Sequence, residues 1–321
     1  MTQVPSQQDQ EEPGTNPFSQ AFRTYFPLPA ALDPHLEEAL HHVLDHPGSL
    51  IRPRLVVQMA SACGLGTPHA QKLAIALEYF HSASLLFDDL PCMDNAIERR
   101  GVPCAHRVYG EAGAILAALG LVNRAYALTW QAVAASSPEK QAQALAFVEQ
   151  CLGVGGLLNG QSLDLHYHHL PHTDQVTERI ARGKTVSLIR LTLVLPAMLG
   201  DAKPRELQLL ERIAVLWGLA YQILDDLKDV LQDSSATGKT AARDLMLDRP
   251  NTAAVLGIPK AIDRVGRLIR AGDRVLQLLL RGRPALEFLE SLRARLDEEL
   301  IRLCETALSE TAPAAAPGAR S

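Results

Sequence analysis

Two groups of three aspartates constrain this chain more than any other feature. Asp88, Asp89 and Asp94 stand in LLFDDLPCMDN, and Asp225, Asp226 and Asp229 in YQILDDLKDV. Each group closes a strongly apolar run. Apolar flanks place the carrying segment in a core, so its terminal carboxylates face a cavity rather than open water. Uncompensated like charges in such a place repel one another or take up protons. Cations are the natural remedy, and a donor set of carboxylates alone suits a hard ion such as Mg²⁺. Bound in this way, Mg²⁺ keeps waters and bridges to substrate phosphates. The expected substrate is therefore a diphosphate, clamped between two facing helices.

Spacing sharpens the expectation. Asp225 and Asp229 are four residues apart, so on a helix they project from one face, one turn from each other. Asp88 and Asp94 are six apart, roughly 600° of helical rotation, which puts them on different faces of a continuous helix. Pro91 resolves the conflict by breaking the helix just after Asp89, and the loop that follows brings Asp94 back. One such group alone more often marks a solvated helix end. Two copies in apolar settings argue for a site.

Helix signals organise the rest of the chain. Asp33-Pro34 opens a segment that stops at Pro47-Gly48, and Arg52 to Ala62 resumes the apolar pattern. Thr67-Pro68 starts another helix, whose stretch QKLAIALEYFHSASLLFDD is uninterrupted until Pro91. Glu111 to Ala135, Pro138 to Leu152, a run capped by Thr173-Asp174 and Arg205 to Val230 follow. Alternating strand patterns are absent. Leu and Ala dominate the 47% hydrophobic residues while aromatics are only 5%, a balance that favours helix over sheet. The expected fold is all-α, an antiparallel helical bundle around a central cavity. No Gly/Ser linker or charge block divides the chain, so a single domain over residues 18–310 is expected, between disordered tails at 1–17 and 311–321.

Composition excludes several functions. A formal net charge of −5 with scattered Lys and Arg argues against a nucleic-acid partner. The five cysteines are odd in number and form no CxxC pair, which argues against a disulfide scaffold or zinc ribbon and for a cytoplasmic setting. The N-terminal MTQVPSQQDQEEPGT is polar and acidic, unlike a signal or transit sequence. No uncharged apolar run reaches the roughly 20 residues that span a bilayer, so no transmembrane segment is expected. His166, His168, His169 and His172 surround Pro171 in a loop and are not read as a metal site. Cys92 is expected to pack rather than react, and Trp130 and Trp217 to be core.

Basic residues near the aspartates fit a diphosphate. Arg99 and Arg100 stand in ERRG, and guanidinium forks match phosphate oxygens bidentately. Adjacent arginines cannot easily share a face, so the two serve different phosphate groups. Lys184 in RGKT and Lys239 in TGKT each sit beside a Gly and a Thr, and neither belongs to a P-loop.

Taken in order, HSASLLFDDLPCMDN with RRG, GQSLDL, GKT, YQILDDLKD and GKTAARD resemble the motifs of the trans-isoprenyl diphosphate synthases. These are the polyprenyl synthetases of the farnesyl and geranylgeranyl type, and the likeness runs from about Ala39 to Gly257. It implies a bundle of antiparallel helices, usually in a homodimer. It also implies about three Mg²⁺ ions that hold the diphosphate of an allylic substrate. That substrate ionises, and isopentenyl diphosphate attacks the cation head to tail. The resemblance assigns Asp88, Asp89, Asp94, Asp225, Asp226 and Asp229 to metal, and Arg99 to the allylic diphosphate, assisted by Lys184 and Lys239. Thr185 and Gln222 match positions at the reaction centre, and Gln161 and Asp164 a GQxxDL element. Arg52, His81 and Arg100 match positions near isopentenyl diphosphate. The chemistry agrees, because C–O cleavage develops negative charge that metals and cations stabilise, and the cation left behind needs a dry cavity.

The chain departs from this pattern at the acceptor. The family's GGKR-x-RP is here Pro47-Gly48-Ser49-Leu50-Ile51-Arg52-Pro53, so Ser49 and Leu50 replace a Lys and an Arg. Charge-assisted hydrogen bonds contribute roughly 1.5–3 kcal/mol each. Two losses weaken acceptor binding about a hundredfold or more unless Arg54 or another cation substitutes. Ala96 and Ile97 stand where an acidic pair is usual, and Arg249-Pro250-Asn251 replaces Lys-x-Thr. Three readings remain open: chain elongation, terpene-synthase-like ionisation without condensation, and a noncatalytic subunit. Elongation is favoured because Arg52, His81 and Arg100 are retained. The small Ala83 and Ser84 before the first group leave room for a product near geranylgeranyl length.

Overall fold

The computed structural model describes residues 17–234 and 249–311. Lys239, and residues 1–16 and 312–321 of the expected tails, lie outside the described residues. Among the described residues the chain is helical apart from one short hairpin, so the all-α expectation holds. It gathers into two compact units, one of residues up to Ser61 with Leu65–Ser137, the other of Ala62–Gly64 with the chain from Pro138 onward.

The first unit carries α1 (Pro17–Thr24), α2 (Pro34–Leu44), most of α3 (Ile51–Ala62), α4 (Thr67–Asp88) and α5 (Ala105–Val133). Asp33 caps α2 by accepting from Leu36 N at 3.2 Å. Pro34 sits in the first turn, where its missing N–H costs nothing. Helix α4 is the core helix: every residue from Leu73 to Tyr79 is buried. A helix apolar on nearly all sides has to be surrounded by others. It runs against α5, whose buried positions Ala114, Ala117, Ala118 and Ala125 are small and let two helix axes approach closely. Phe22 of α1 lies with its ring 4.8 Å from that of Tyr79, and its carbonyl accepts the Tyr79 hydroxyl proton.

The end of α4 behaves as Pro91 dictates. The helix stops at Asp88, and the turn after it brings Asp94 N to Asp88 O at 2.9 Å and Ala96 N to Asp89 O at 3.1 Å. A hairpin then pairs β1 (Glu98–Arg99) with β2 (Val102–Pro103), Arg99 opposite Val102. The sequence carries no strand signal here, because alternation over two residues is too short to register. Between the strands Arg100 has φ 56° and Gly101 φ 81°, the pair of left-handed residues that a type I′ turn requires.

The second unit holds α6 (Pro138–Leu152), α7 (Leu157–Leu165), α8 (Asp174–Ala181), a π-helical turn at Arg182–Val186, and α9 (Ser187–Leu199). It continues with α10 (Pro204–Ser234), α11 (Thr252–Leu256), α12 (Ile258–Gly282) and α13 (Leu289–Thr311). Thr173 caps α8 as expected, its hydroxyl accepting from Val176 N. Helix α10 packs against α9, α12 and α13. Trp217 is buried on it, whereas Trp130 of α5 is 52% exposed, contrary to expectation. The helical period places Trp130 on an outward stripe with Leu116, Leu119 and Tyr126, all exposed.

Two local features position the second unit's functional residues. At Gly160 and Gly183, α7 meets the π-helical turn. A Cβ on Gly183 would lie 2.7 Å from Gly160 Cα, and one on Gly160 2.5 Å from Lys184 N, so only hydrogen fits. Asn251 caps α11 by accepting from Ala254 N at 2.8 Å, while its amide donates to Asp226 O at 3.1 Å.

Helix α5 and the Pro204–Leu231 part of α10 are long and apolar enough, by length and composition only, to cross a membrane. Charged residues interrupt both, so neither is an uncharged apolar run. About half of each apolar stretch, 44% and 50%, is buried within the molecule, as in a core helix of a globular protein.

Gly183→Ala is expected to cost about 1–3 kcal/mol by overpacking a closed contact, read from the urea midpoint at unchanged slope. Asn251→Ala removes a helix cap and the tether to Asp226, with an expected loss of about 1–2 kcal/mol. A change within about 0.5 kcal/mol, the range of an ordinary surface substitution, would refute that assignment.

Candidate active site

In the first unit the two members of the Asp88-Asp89 pair have different surroundings. Asp88 and Asp94 are half-buried and are brought together by the turn after α4. Asp89 is 3% exposed, and its Oδ1 receives Arg99 Nη2 at 2.6 Å and Arg99 Nε at 3.0 Å. A buried carboxylate needs such donors. Asp89 thus holds Arg99 in place beside the cluster.

Arg100 diverges from Arg99 on the I′ turn, as adjacent arginines must. Its Nη1 donates to His46 O at 3.0 Å, and its Nη2 lies 4.0 Å from Glu78 Oε1. The guanidinium occupies the space a side chain on Gly48 would need, since a Cβ there would stand 2.5 Å from Arg100 Cζ. Arg52 belongs to the same neighbourhood. The charges of Arg52, Arg100 and Arg99, together with burial as the largest cause, hold the His81 imidazole well below its usual range, so His81 is neutral near pH 7. Its Nδ1 is shielded and has no hydrogen-bond partner. Burial raises the Glu78 carboxyl while Arg52 and Arg100 oppose the shift.

Ser49 is exposed, but Leu50 is 1% exposed with φ 51°. The apolar replacement at Leu50 is therefore a packing residue on a left-handed backbone. Cys92 is exposed, not packed as expected, because the turn after α4 carries it outward.

In the second unit, Lys184 and Thr185 lie in the π-helical turn and Gln222, Asp225, Asp226 and Asp229 on α10. Single π turns cluster at functional positions because they redirect side chains. Thr185 donates its hydroxyl proton to Gln222 Oε1, and Gln222 Nε2 donates to Asp226 Oδ1 at 2.9 Å. Asp226 Oδ2 accepts from Thr252 N at 2.7 Å. Burial outweighs these bonds and pushes the Asp226 carboxyl up to about 6. Asp225 is exposed and Asp229 half-buried. Lys184 Nζ lies 3.1 Å from Asp164 Oδ2, with Arg249 Nη1 at 3.8 Å from the same oxygen. Gln161 is half-buried on α7, one turn before Asp164. The ring of Tyr167 stacks on His172 at 4.3 Å.

Among the described residues no three His, Cys, Asp or Glu side chains form a cage for a metal. Oxygen donors in pairs, Asp88 with Asp94 and Asp225 with Asp229, do fit Mg²⁺. That ion is commonly bound by one or two carboxylates, with waters and substrate phosphates completing its shell. Sequence reasoning missed Glu78, although a lone acid inside LAIALEYFHSASLLF was a visible signal. It also missed that Asn251 and Thr252 anchor Asp226, a partnership no local pattern announces.

A model of the family described as polyprenyl synthetase matches residues 33–270. Geranylgeranyl pyrophosphate synthase of Capsicum annuum is 34% identical over 247 residues, which span 76% of this chain and 67% of that protein. Geranylgeranyl pyrophosphate synthase 7 of Arabidopsis thaliana is 34% identical over 237 residues, 73% and 68% of the two chains. Both relatives are named as chloroplastic. Among solved structures, a Helicobacter pylori geranyltransferase with magnesium and isoprenyl diphosphate superposes with a TM-score of 0.72 at 26% identity, covering 91% of this chain and 94% of that one. An FPP/GFPP synthase of Zymomonas mobilis gives 0.73 at 25% identity, over 87% and 95%. By motif order, site geometry and these likenesses, the chain belongs to the polyprenyl synthetase family.

Proposed function

We propose that this protein is a Mg²⁺-dependent prenyltransferase that condenses an allylic diphosphate with isopentenyl diphosphate, forming a prenyl diphosphate near C20. One observation carries the reading: Arg99 and Arg100, neighbours in sequence, part at the I′ turn. Arg99 goes to the first aspartate cluster, and Arg100 to the neighbourhood of Arg52 and His81. Two separate cationic positions suit two diphosphates, and two diphosphates suit condensation rather than ionisation alone. Relatives named as geranylgeranyl pyrophosphate synthases support the product length. The terpene-synthase-like alternative is not favoured, since those relatives are synthases and two acceptor-side arginines are retained. Two complete aspartate clusters weigh against a noncatalytic subunit.

Asp88 with Asp94, and Asp225 with Asp229, would hold Mg²⁺, about three ions as the resemblance implies, and the metal would supply positive charge to a diphosphate leaving group. Arg99, Lys184 and Lys239 donate charge-assisted hydrogen bonds to the leaving oxygens. Asp89 and Asp226 act behind them, one fixing Arg99, the other ordering Gln222 and through it Thr185. Gln161, one turn before the Asp164 that meets Lys184, is assigned to substrate binding by the GQxxDL element. His81, neutral, donates to the acceptor diphosphate without adding charge. The apolar body of α4 excludes water, and the small Ala83 leaves room for the growing tail. A homodimer is supported by the outward stripe Leu116, Leu119, Tyr126 and Trp130 on α5, an apolar surface of the kind that marks an interface. Cysteine usage supports a cytoplasmic location, whereas the plant relatives are named chloroplastic.

The test supplies purified protein with Mg²⁺ and geranyl, farnesyl or geranylgeranyl diphosphate, with and without isopentenyl diphosphate, and reads products by mass spectrometry. A longer diphosphate is expected only with both substrates; a hydrocarbon or alcohol from the allylic substrate alone would overturn the reading. Asp88→Ala and Asp225→Ala should each lower turnover by about 10²–10³-fold or more, as expected for losing transition-state charge stabilisation. Trp130→Glu with Leu119→Glu should convert a dimer to a monomer in light scattering, whereas a monomeric parent protein would refute the dimer.

A further inference from the structure

Glu78 is the buried acid of the first unit that the proposed reaction does not use. It stands on α4 in an otherwise apolar run, 2% exposed, one helical turn before His81. Burying a carboxylate is costly unless charge or hydrogen bonds compensate it. Here the compensation is Coulombic: Arg100 Nη2 lies 4.0 Å from Oε1, and Arg52 is the other cation acting on the group. Its second oxygen, Oε2, has no hydrogen-bond partner. The 4.0 Å separation is too long for a hydrogen bond, so Glu78 attracts the guanidinium without consuming its donors.

We propose that Glu78 is a positioning residue, whose buried carboxylate gathers Arg52 and Arg100 into the pair that receives the acceptor's diphosphate. The inference rests on the proposed function and deepens it. Two guanidinium groups repel each other, and Arg100 sits on a turn at φ 56°, from which its side chain could swing into solvent. One carboxylate against two guanidinium charges leaves a net positive charge, so a diphosphate still meets unneutralised cations already in place. Preorganisation of this kind lowers the ordering cost of binding. With Ser49 and Leu50 supplying no charge, the acceptor position depends on this pair, and so on what holds the pair together.

Steady-state kinetics of the full chain with both substrates test it. Glu78→Gln, similar in shape but uncharged, is expected to raise KM for isopentenyl diphosphate about tenfold or more, with allylic KM changed less than about twofold and kcat falling less than the acceptor KM rises. Glu78→Asp, which keeps the charge one methylene further back, should recover part of the loss. Circular dichroism establishes that the variants are folded, and if Glu78→Gln is not, Glu78→Asp alone should raise the acceptor KM several-fold. An acceptor KM that is unchanged or lowered overturns the proposal, as does an equal rise for both substrates, the mark of a merely structural role. If the parent enzyme condenses while the variant keeps its KM, only this proposal fails; if the parent consumes no isopentenyl diphosphate, the functional reading fails with it.

Discussion

A carboxylate turned away from water has to be satisfied by the protein, and this requirement organises both aspartate clusters. Asp226 is buried on α10, and its two oxygens are taken by Gln222 and by the first backbone N–H of α11. Asp89 is buried at the end of α4 and is taken by Arg99. In each cluster the second aspartate thereby becomes an anchor that fastens a distant stretch of chain beside the site. The other members, half-buried Asp88, Asp94 and Asp229 and exposed Asp225, are carried on a backbone that those anchors hold.

Unusual backbone gathers around the same residues. The π-helical turn carrying Lys184 and Thr185 is seated on α7 through two glycines that leave no room for a Cβ. Leu50, Asn95 and Arg100 adopt positive φ without being glycine, a conformation that costs roughly 1–3 kcal/mol per residue. All three lie in the turns that flank the acid and arginine clusters of the first unit. Stability given up there is offset by α4, whose unbroken buried run from Leu73 to Phe80 supplies apolar contacts.

Charge is distributed with similar economy on the acceptor side. The replacements Ser49 and Leu50 read in sequence as the loss of two phosphate ligands. In the structure, Leu50 serves the core and Arg100 lies over Gly48, beside the place those side chains would leave. A neutral His81 beside three arginines follows from the same arrangement, because a fourth positive charge in a shielded site would be repelled.

The sequence by itself determined the helices, the caps at Asp33 and Thr173, the break that Pro91 imposes and the existence of two carboxylate clusters. All of these follow from short-range effects: the 3.6-residue period, the missing N–H of proline, side chains capping their own chain. Tertiary structure alone decided which aspartate of each pair turns inward, that Glu78 sits among arginines, that Trp130 faces outward, and that two residues of strand suffice for a hairpin. Those outcomes depend on groups far apart in the chain, Asp226 with Thr252, Glu78 with Arg52 and Arg100. Desolvation of a charge is resolved by whichever donors the packed fold brings near, and no local pattern records that choice.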